Sequence, residues 1–174
     1  MLLESMPEYY PEFITITCYK WKYILNNDVY KEIITDSLAY LVKEKRIKLY
    51  AFVIMSNHFH LIWQIQKPNK REDVQRDFLK YTAHQLLKRI KKENNALLLE
   101  LLVNLKDRKY QVWQRNSLSI ELRNKKVFEQ KLEYIHNNPV KAELCVLPEE
   151  YKYSSGKFYE LSINDWNFLT HYDE

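Results

Sequence analysis

An α+β fold, with an antiparallel sheet of ferredoxin-like order covered by helices, is predicted by three features of this chain. Its hydrophobic periodicity alternates between strand and helix spacing in the order strand, helix, strand, strand, helix, strand, helix. The second and third strands stand so close in sequence that only a hairpin can join them. Finally, an added C-terminal helix follows the fourth strand, carries a tyrosine off its apolar stripe, and could cover the sheet face that the earlier helices leave open.

Each element follows from its residues. Residues 1 to 12, with Pro7 and Pro11 around Tyr9 and Tyr10, read as an N-terminal arm on the surface. Phe13-Ile14-Thr15-Ile16-Thr17-Cys18-Tyr19 alternates and is rich in β-branched residues, which makes it strand one. From Asn27 the spacing becomes helical: Val29, Ile33, Ile34, Leu38, Leu41 and Val42 form one stripe, with Asn27 or Asp28 as cap. The segment from Ile47 to Met55 is strand two, and the run from His58, ended by Pro68, is strand three.

Val74, Phe78, Tyr81, Leu86, Leu87 and Ile90 mark a long helix. Its outer face carries Arg71, Arg76, Lys80, Lys88, Arg89, Lys91 and Lys92, either a solvated face balanced by Glu72, Asp73 and Asp77 or a track for phosphates. The apolar segment from Leu97 to Leu102 fits helix or strand. Tyr110-Gln111-Val112-Trp113-Gln114 is expected as strand four. Val127, Phe128, Leu132 and Ile135 form the last helix, expected to end near Asn138 because proline disfavours helical geometry in the residue before it. The 174 residues fit one domain, a core over 13–145 with a tail, 146–174, packed on it.

Composition narrows the function. A single glycine excludes glycine-rich phosphate loops, and with them the nucleotide-dependent classes built on those loops. The formal net charge of +4 permits a polyanionic partner. Fourteen tyrosines and four tryptophans, interleaved with Lys and Arg, would suit stacking on unpaired bases, or else be half-buried surface aromatics. Cys18 and Cys145 are too few and too distant for a disulfide framework or a Cys-x-x-Cys site. With no signal-like N-terminus and no long apolar run, the chain is expected to be cytoplasmic and free of membrane.

The centre of the chain is Ser56-Asn57-His58-Phe59-His60-Leu61-Ile62-Trp63-Gln64. Alternation along a strand places His58 and His60 on one face and Phe59, Leu61 and Trp63 on the other. Two neutral imidazoles so placed either pair by hydrogen bonds or hold a divalent cation that polarises a phosphoryl oxygen. In Leu132-Glu133-Tyr134-Ile135-His136-Asn137-Asn138-Pro139, Tyr134 and Asn138 stack one helical turn apart, offset from the packing stripe of Phe128, Leu132 and Ile135. A phenol becomes a useful nucleophile when something stabilises phenolate, and a cation held by His58, His60 and the Asn138 carboxamide would help both attack and departure. Alternatively Tyr134 is a packing residue and Asn138 a turn residue.

Met55 to Trp63, together with Tyr134-Ile135-His136-Asn137-Asn138-Pro139-Val140-Lys141-Ala142, resembles the REP-associated tyrosine transposase branch of the single-tyrosine HUH transposases. The resemblance extends to Val112-Trp113-Gln114-Arg115 and to the segment from Pro148 to Ser155. It implies a ferredoxin-like nuclease that cuts and rejoins single-stranded DNA beside palindromic hairpins, through a 5′-phosphotyrosine intermediate and with Mg²⁺ or Mn²⁺. By position, Tyr134 matches the family's nucleophile, and His58, His60 and Asn138 match its metal ligands. Arg115, Arg123, Lys141 and Lys152 lie near these motifs and are candidates for DNA phosphates. The family often has Pro where this chain has Ser56, and Gly where it has Glu143. A related protein that binds hairpins without cutting is the alternative, a relaxase or replication initiator a weaker one. Monomer and homodimer both fit the sequence.

Overall fold

A computed structural model describes residues 9–174. The first part of the expected N-terminal arm, including Pro7, therefore lies outside the described residues. Strand β1 (Glu12–Thr17) leads to helix α1 (Asp28–Lys43), then to the hairpin β2 (Ile47–Ile54) and β3 (His58–Ile65), and on to α2 (Arg71–Glu93). A short helix α3 (Asn95–Glu100) and a small hairpin, β4 (Leu102–Leu105) and β5 (Arg108–Tyr110), precede β6 (Leu118–Glu121). Helix α4 (Lys125–Lys141) and the short α5 (Gly156–Leu161) complete the chain.

The main sheet has the order β2-β3-β1-β6, with every neighbouring pair antiparallel, which is the ferredoxin-like order the sequence predicts. Its two faces carry separate cores. Ile14, Ile16, Leu49, Phe52, Phe59, Leu61 and Trp63 face α1 and α2. Phe13, Val53, Met55 and Ile62 face the opposite way and bury Phe128, Leu132 and Ile135 of α4. The register of β2 slips between Leu49 and Ala51. That bulge puts Tyr50 and Ala51 on the α4 face together, so Phe52 and Ile54 return to the core shared by Ile47 and Leu49.

The cap of α1 is Asn27, whose side chain accepts from the Val29 amide. The undecided Leu97 to Leu102 segment divides into α3, capped by Asn94, and the start of β4. Much of the cationic face of α2 is balanced: Arg71 reaches Glu12 and Glu121, and Arg76 lies against Asp73 and Asp77.

Two expectations need correction. Tyr110 to Gln114 is not the fourth strand of the sheet, which is Leu118–Glu121. The apolar signal of Val112 and Trp113 is burial of a connector: the Trp113 indole donates to the Leu79 carbonyl of α2, and the backbone is tied to the end of β1 around Cys18 and, through the Gln111 amide, to the Leu101 carbonyl. Asn116, at φ 62°, then turns the chain back alongside β1. Nor does the last helix stop near Asn138, since it runs through Pro139 to Lys141. Proline lacks one amide hydrogen, yet the Asn138 carbonyl is still taken by the Ala142 amide, and burial of Ile135 and Pro139 holds the turn.

Residues 151 to 172 lie across the sheet edge and both cores, with Tyr153, Trp166 and Phe168 on one and Tyr159 and Tyr172 on the other. Gly156 is required there, because a Cβ would meet the Pro148 carbonyl oxygen at 2.6 Å.

Helix α4 ends with Glu143 at φ 58°, where the Glu143 amide donates to Val140 and the Leu144 amide to Pro139. This two-bond closure places a left-handed residue where glycine is free of Cβ strain. Glu143→Gly is therefore expected to stabilise the protein by about 1 kcal/mol, raising the thermal midpoint by roughly 2–4 °C in a melting experiment.

Candidate active site at the histidine strand and the tyrosine helix

The site is built from β3, β1 and α4. Alternation along β3 turns His60 toward α4, while its neighbours Phe59 and Leu61 enter the opposite core. The His60 ring stacks on Phe13 of β1 at 5.3 Å between centroids and meets the edge of Tyr134 at 5.2 Å. His58 sits 4.9 Å from His60, ring to ring. Tyr134 and both imidazoles thus lie on the same side of the sheet, within one chain. Tyr134 remains 41% exposed, so its ring is anchored by Phe13 and His60 while a ligand can still reach it.

Hydrogen bonds set the tautomers. The His58 Nδ1 lies 2.7 Å from the Asn57 Oδ1, which can only accept, so Nδ1 carries the hydrogen and the Nε2 lone pair is free. The His60 Nδ1 bonds Thr15 Oγ1 at 2.8 Å, and its Nε2 faces the Asn138 amide at 3.3 Å. Thr15 reaches His60 because the two residues are register partners between β1 and β3. Burial pushes the His60 imidazolium down to about 3, helped by the positive charge that His58 and Lys131 bring nearby. His58 is lowered as well, again by burial, with contact from Asn138 opposing it. Both rings are neutral bases at physiological pH.

Among the described residues, no group of three or more His, Cys, Asp or Glu is arranged to hold a metal. A divalent cation at this site would therefore depend on Asn138 as its third protein ligand. The donor set fits that role. The His58 Nε2 lone pair is open, while that of His60 takes the Asn138 amide hydrogen, and rotating the Asn138 amide would exchange its nitrogen for a carbonyl oxygen and release that lone pair.

The family model for Transposase IS200 like matches residues 5–138. The chain belongs to the IS200-like transposase family. No curated protein matches it. Among solved structures, a REP-associated tyrosine transposase bound to a REP hairpin shares the fold, with TM-score 0.64 and 17% identity over 92% of this chain and 86% of that one. A candidate transposase from Deinococcus radiodurans R1 aligns with TM-score 0.48 and 15% identity, over 79% of this chain and 97% of that one.

The candidate cations of this chain separate by position. Lys141 stands at the site, its ammonium 5.9 Å from the centre of the Tyr134 ring. Arg123 is bound to Glu121 at 2.7 Å and lies over Tyr10. Lys152 reaches the Tyr153 hydroxyl, and Arg115 is exposed in the turn after Trp113. Sequence reasoning missed Thr15, Asn57 and Lys131, the last with its ammonium 4.7 Å from the Phe13 ring and 5.6 Å from that of Tyr134. Helical spacing could have found Lys131, three residues before Tyr134. Only strand register could have found Thr15.

His136, on the packing side of α4, is buried against Ser155 Oγ at 2.8 Å and is pushed down to about 4 by that burial. Both His60 and His136 bind their protons more weakly folded than unfolded. Their contribution to stability is thus complete above about pH 6.5 and is lost as the pH falls toward their folded values. Urea unfolding should show stability falling between pH 6.5 and 5 by no more than about 2 kcal/mol per histidine, and His136→Gln should flatten that slope.

Proposed function

We propose that this protein is a metal-dependent transposase of single-stranded DNA that cuts and rejoins strands beside palindromic hairpins, through a 5′-phosphotyrosine link on Tyr134. The observation that carries the reading is the convergence of the His58 and His60 rings, the Asn138 amide and the Tyr134 ring on one sheet face, in a chain of the IS200-like family. The REP hairpin held by the structural neighbour supports hairpin DNA as the partner.

In the proposed step the Tyr134 oxygen attacks a backbone phosphorus in line with the 3′-oxygen. The tyrosyl O–P bond forms as the P–O3′ bond breaks, the phenol proton passes to solvent, and the 3′-oxygen gains a proton and leaves as a hydroxyl. The phosphotyrosine keeps an energetically similar ester, so a returning 3′-hydroxyl can reverse the exchange without a nucleotide. A Mg²⁺ or Mn²⁺ ion held by His58, His60 and Asn138 would polarise the phosphate and offset the charge that develops on it.

The chain's own groups do the rest. Phe13 and His60 hold the Tyr134 ring, and Thr15 and Asn57 hold the imidazoles. Lys131 and Lys141 supply positive charge around the phenol. Arg115, Arg123 and Lys152 would meet phosphates farther along the strand. Because Tyr134 adjoins His60 of the same chain, the tyrosine acts in cis in this reading.

Incubation with single-stranded oligonucleotides from palindromes flanking the gene, in Mn²⁺, should give a covalent adduct on a denaturing gel. Tyr134→Phe is expected to abolish it, and His58→Ala with His60→Ala to reduce its rate by about a hundredfold or more. An adduct that persists in Tyr134→Phe would remove Tyr134 from its role, and one formed equally well in excess chelator would remove the metal.

Thr15→Val keeps the shape of the β1 residue but deletes the bond to His60 Nδ1. It should weaken Mn²⁺ binding by about 10–100-fold in a direct titration, with the fold unchanged by circular dichroism. Unaltered Mn²⁺ affinity would show that Thr15 does not orient the ligand.

A further inference from the structure

Between β1 and α1 the chain makes two short 3-10 turns, Tyr19–Trp21 and Ile24–Asn26. They display two large rings to solvent: Trp21 is 60% exposed and Tyr23 69%, the highest values for aromatic residues among those described. Indole is usually sheltered from water when packing alone decides its place. Here the backbone is held so that it is not. Lys20 and Trp21 sit at φ 50° and 57°, in the left-handed region that residues with a Cβ seldom occupy.

The turn is bound to the candidate site by a set of short hydrogen bonds. The Trp21 amide donates to the Cys18 carbonyl at 2.9 Å, and the Lys20 amide to Gln114 Oε1 at 3.1 Å. The Cys18 amide donates to the Asn57 carbonyl at 2.9 Å and the Leu25 amide to the Ser56 carbonyl at 2.8 Å. Ser56 and Asn57 are the turn that delivers His58, so the exposed indole is tied to the histidine strand. The Trp21 ring lies 6.1 Å from the His58 ring, edge to face.

A groove of about 870 Å³ is lined by Trp21 together with Lys20, Tyr23, Tyr30, Asn94 and Glu100. Lys22 binds Glu100 at 2.5 Å and so offsets the one carboxylate facing the groove. The Lys20 ammonium lies 5.2 Å from the centre of the Tyr19 ring. An exposed planar ring, flanked by cations and held rigidly beside a phosphate-handling site, has the makings of a stacking platform. Every nucleobase offers it a π face, while Lys20 can meet the adjoining phosphate.

We propose that Trp21 stacks on an unpaired base next to the phosphate presented to Tyr134, and so sets which nucleotide step enters the site. This rests on the single-stranded DNA reading above. Trp21 is a positioning residue in this scheme, since it contacts the strand but not the reacting atoms.

The test is an abasic scan. Full-length protein, its Trp21→Ala variant and its Trp21→Phe variant are titrated by fluorescence anisotropy with a hairpin oligonucleotide from the flanking palindromes, in chelator to prevent cleavage. The oligonucleotide carries a single-stranded extension made abasic at one position at a time. The unmutated protein should lose about tenfold in affinity at one extension position. Trp21→Ala should bind the intact oligonucleotide about tenfold more weakly and be indifferent to that same position, and Trp21→Phe should recover most of the loss. An abasic profile in Trp21→Ala that matches the parent's, or a parent profile with no sensitive position, would overturn the proposal. The Tyr134 adduct assay on the same oligonucleotides separates the two ideas. An adduct with an unchanged abasic profile removes the role of Trp21 alone, whereas no adduct in any oligonucleotide removes the cleavage reading on which it rests.

Discussion

The burial of one helical stripe governs this molecule. Phe128, Leu132 and Ile135 of α4 press onto Phe13, Val53 and Ile62, on the sheet face that α1 and α2 do not cover. Apolar burial of this kind has no direction of its own, but a helix that presents one stripe to a surface can take few orientations about its axis. Seating that stripe fixes the rotation of α4. Tyr134 and Asn138, a turn apart and offset from it, are thereby aimed at His60. The chemistry proposed for the site is a consequence of how the hydrophobic core is arranged.

The neutral state of the imidazoles has the same origin. His60 is buried between Phe13 and Tyr134, and an environment of that kind stabilises the uncharged ring. The acceptor oxygen of Asn57 puts the hydrogen of His58 on Nδ1, the Asn138 amide donating to Nε2 does the same for His60, and Thr15 holds the His60 Nδ1 in place. Metal-ligating histidines commonly have such partners, because the second nitrogen must be held if the first is to present its lone pair at a fixed angle. Opposite the site, Trp63 and Phe59 of the same strand fill the other core, so β3 is anchored on one face and functional on the other. A strand with only one buried face would leave its histidines far freer to move.

The chain beyond Lys141 closes the structure from outside. Ser155 donates its backbone amide to Phe52 and takes His136 against its hydroxyl, which links the tail to β2 and α4 at once. Tyr151 and Tyr159 reach the carbonyls of Ile54 and Tyr50 in the same way. These phenols satisfy the exposed edge of β2, a position that would otherwise offer unpaired backbone groups to other chains. Two of the fourteen tyrosines are explained by this edge.

Periodicity is local, and what it determined was local. Alternation put His58 and His60 on one face of a strand before any partner strand was known, and helical spacing set Tyr134 and Asn138 apart from Phe128, Leu132 and Ile135. Those readings needed only the pleat and the turn, as did the cap at Asn27 or Asp28, which the structure gives to Asn27. The fourth strand was misplaced because Val112 and Trp113 are buried by α2, and apolar alternation does not say whether the partner is a strand or a helix. Pro139 was read as a stop because its local cost is real, while the packing that outweighs it comes from a distant sheet. Thr15 beside His60 and the exposed Trp21 tied to the histidine turn depend on strand register and on hydrogen bonds between remote segments. Only the tertiary structure could decide them, because such pairings are chosen by the energy of the whole fold rather than by any one stretch of the chain.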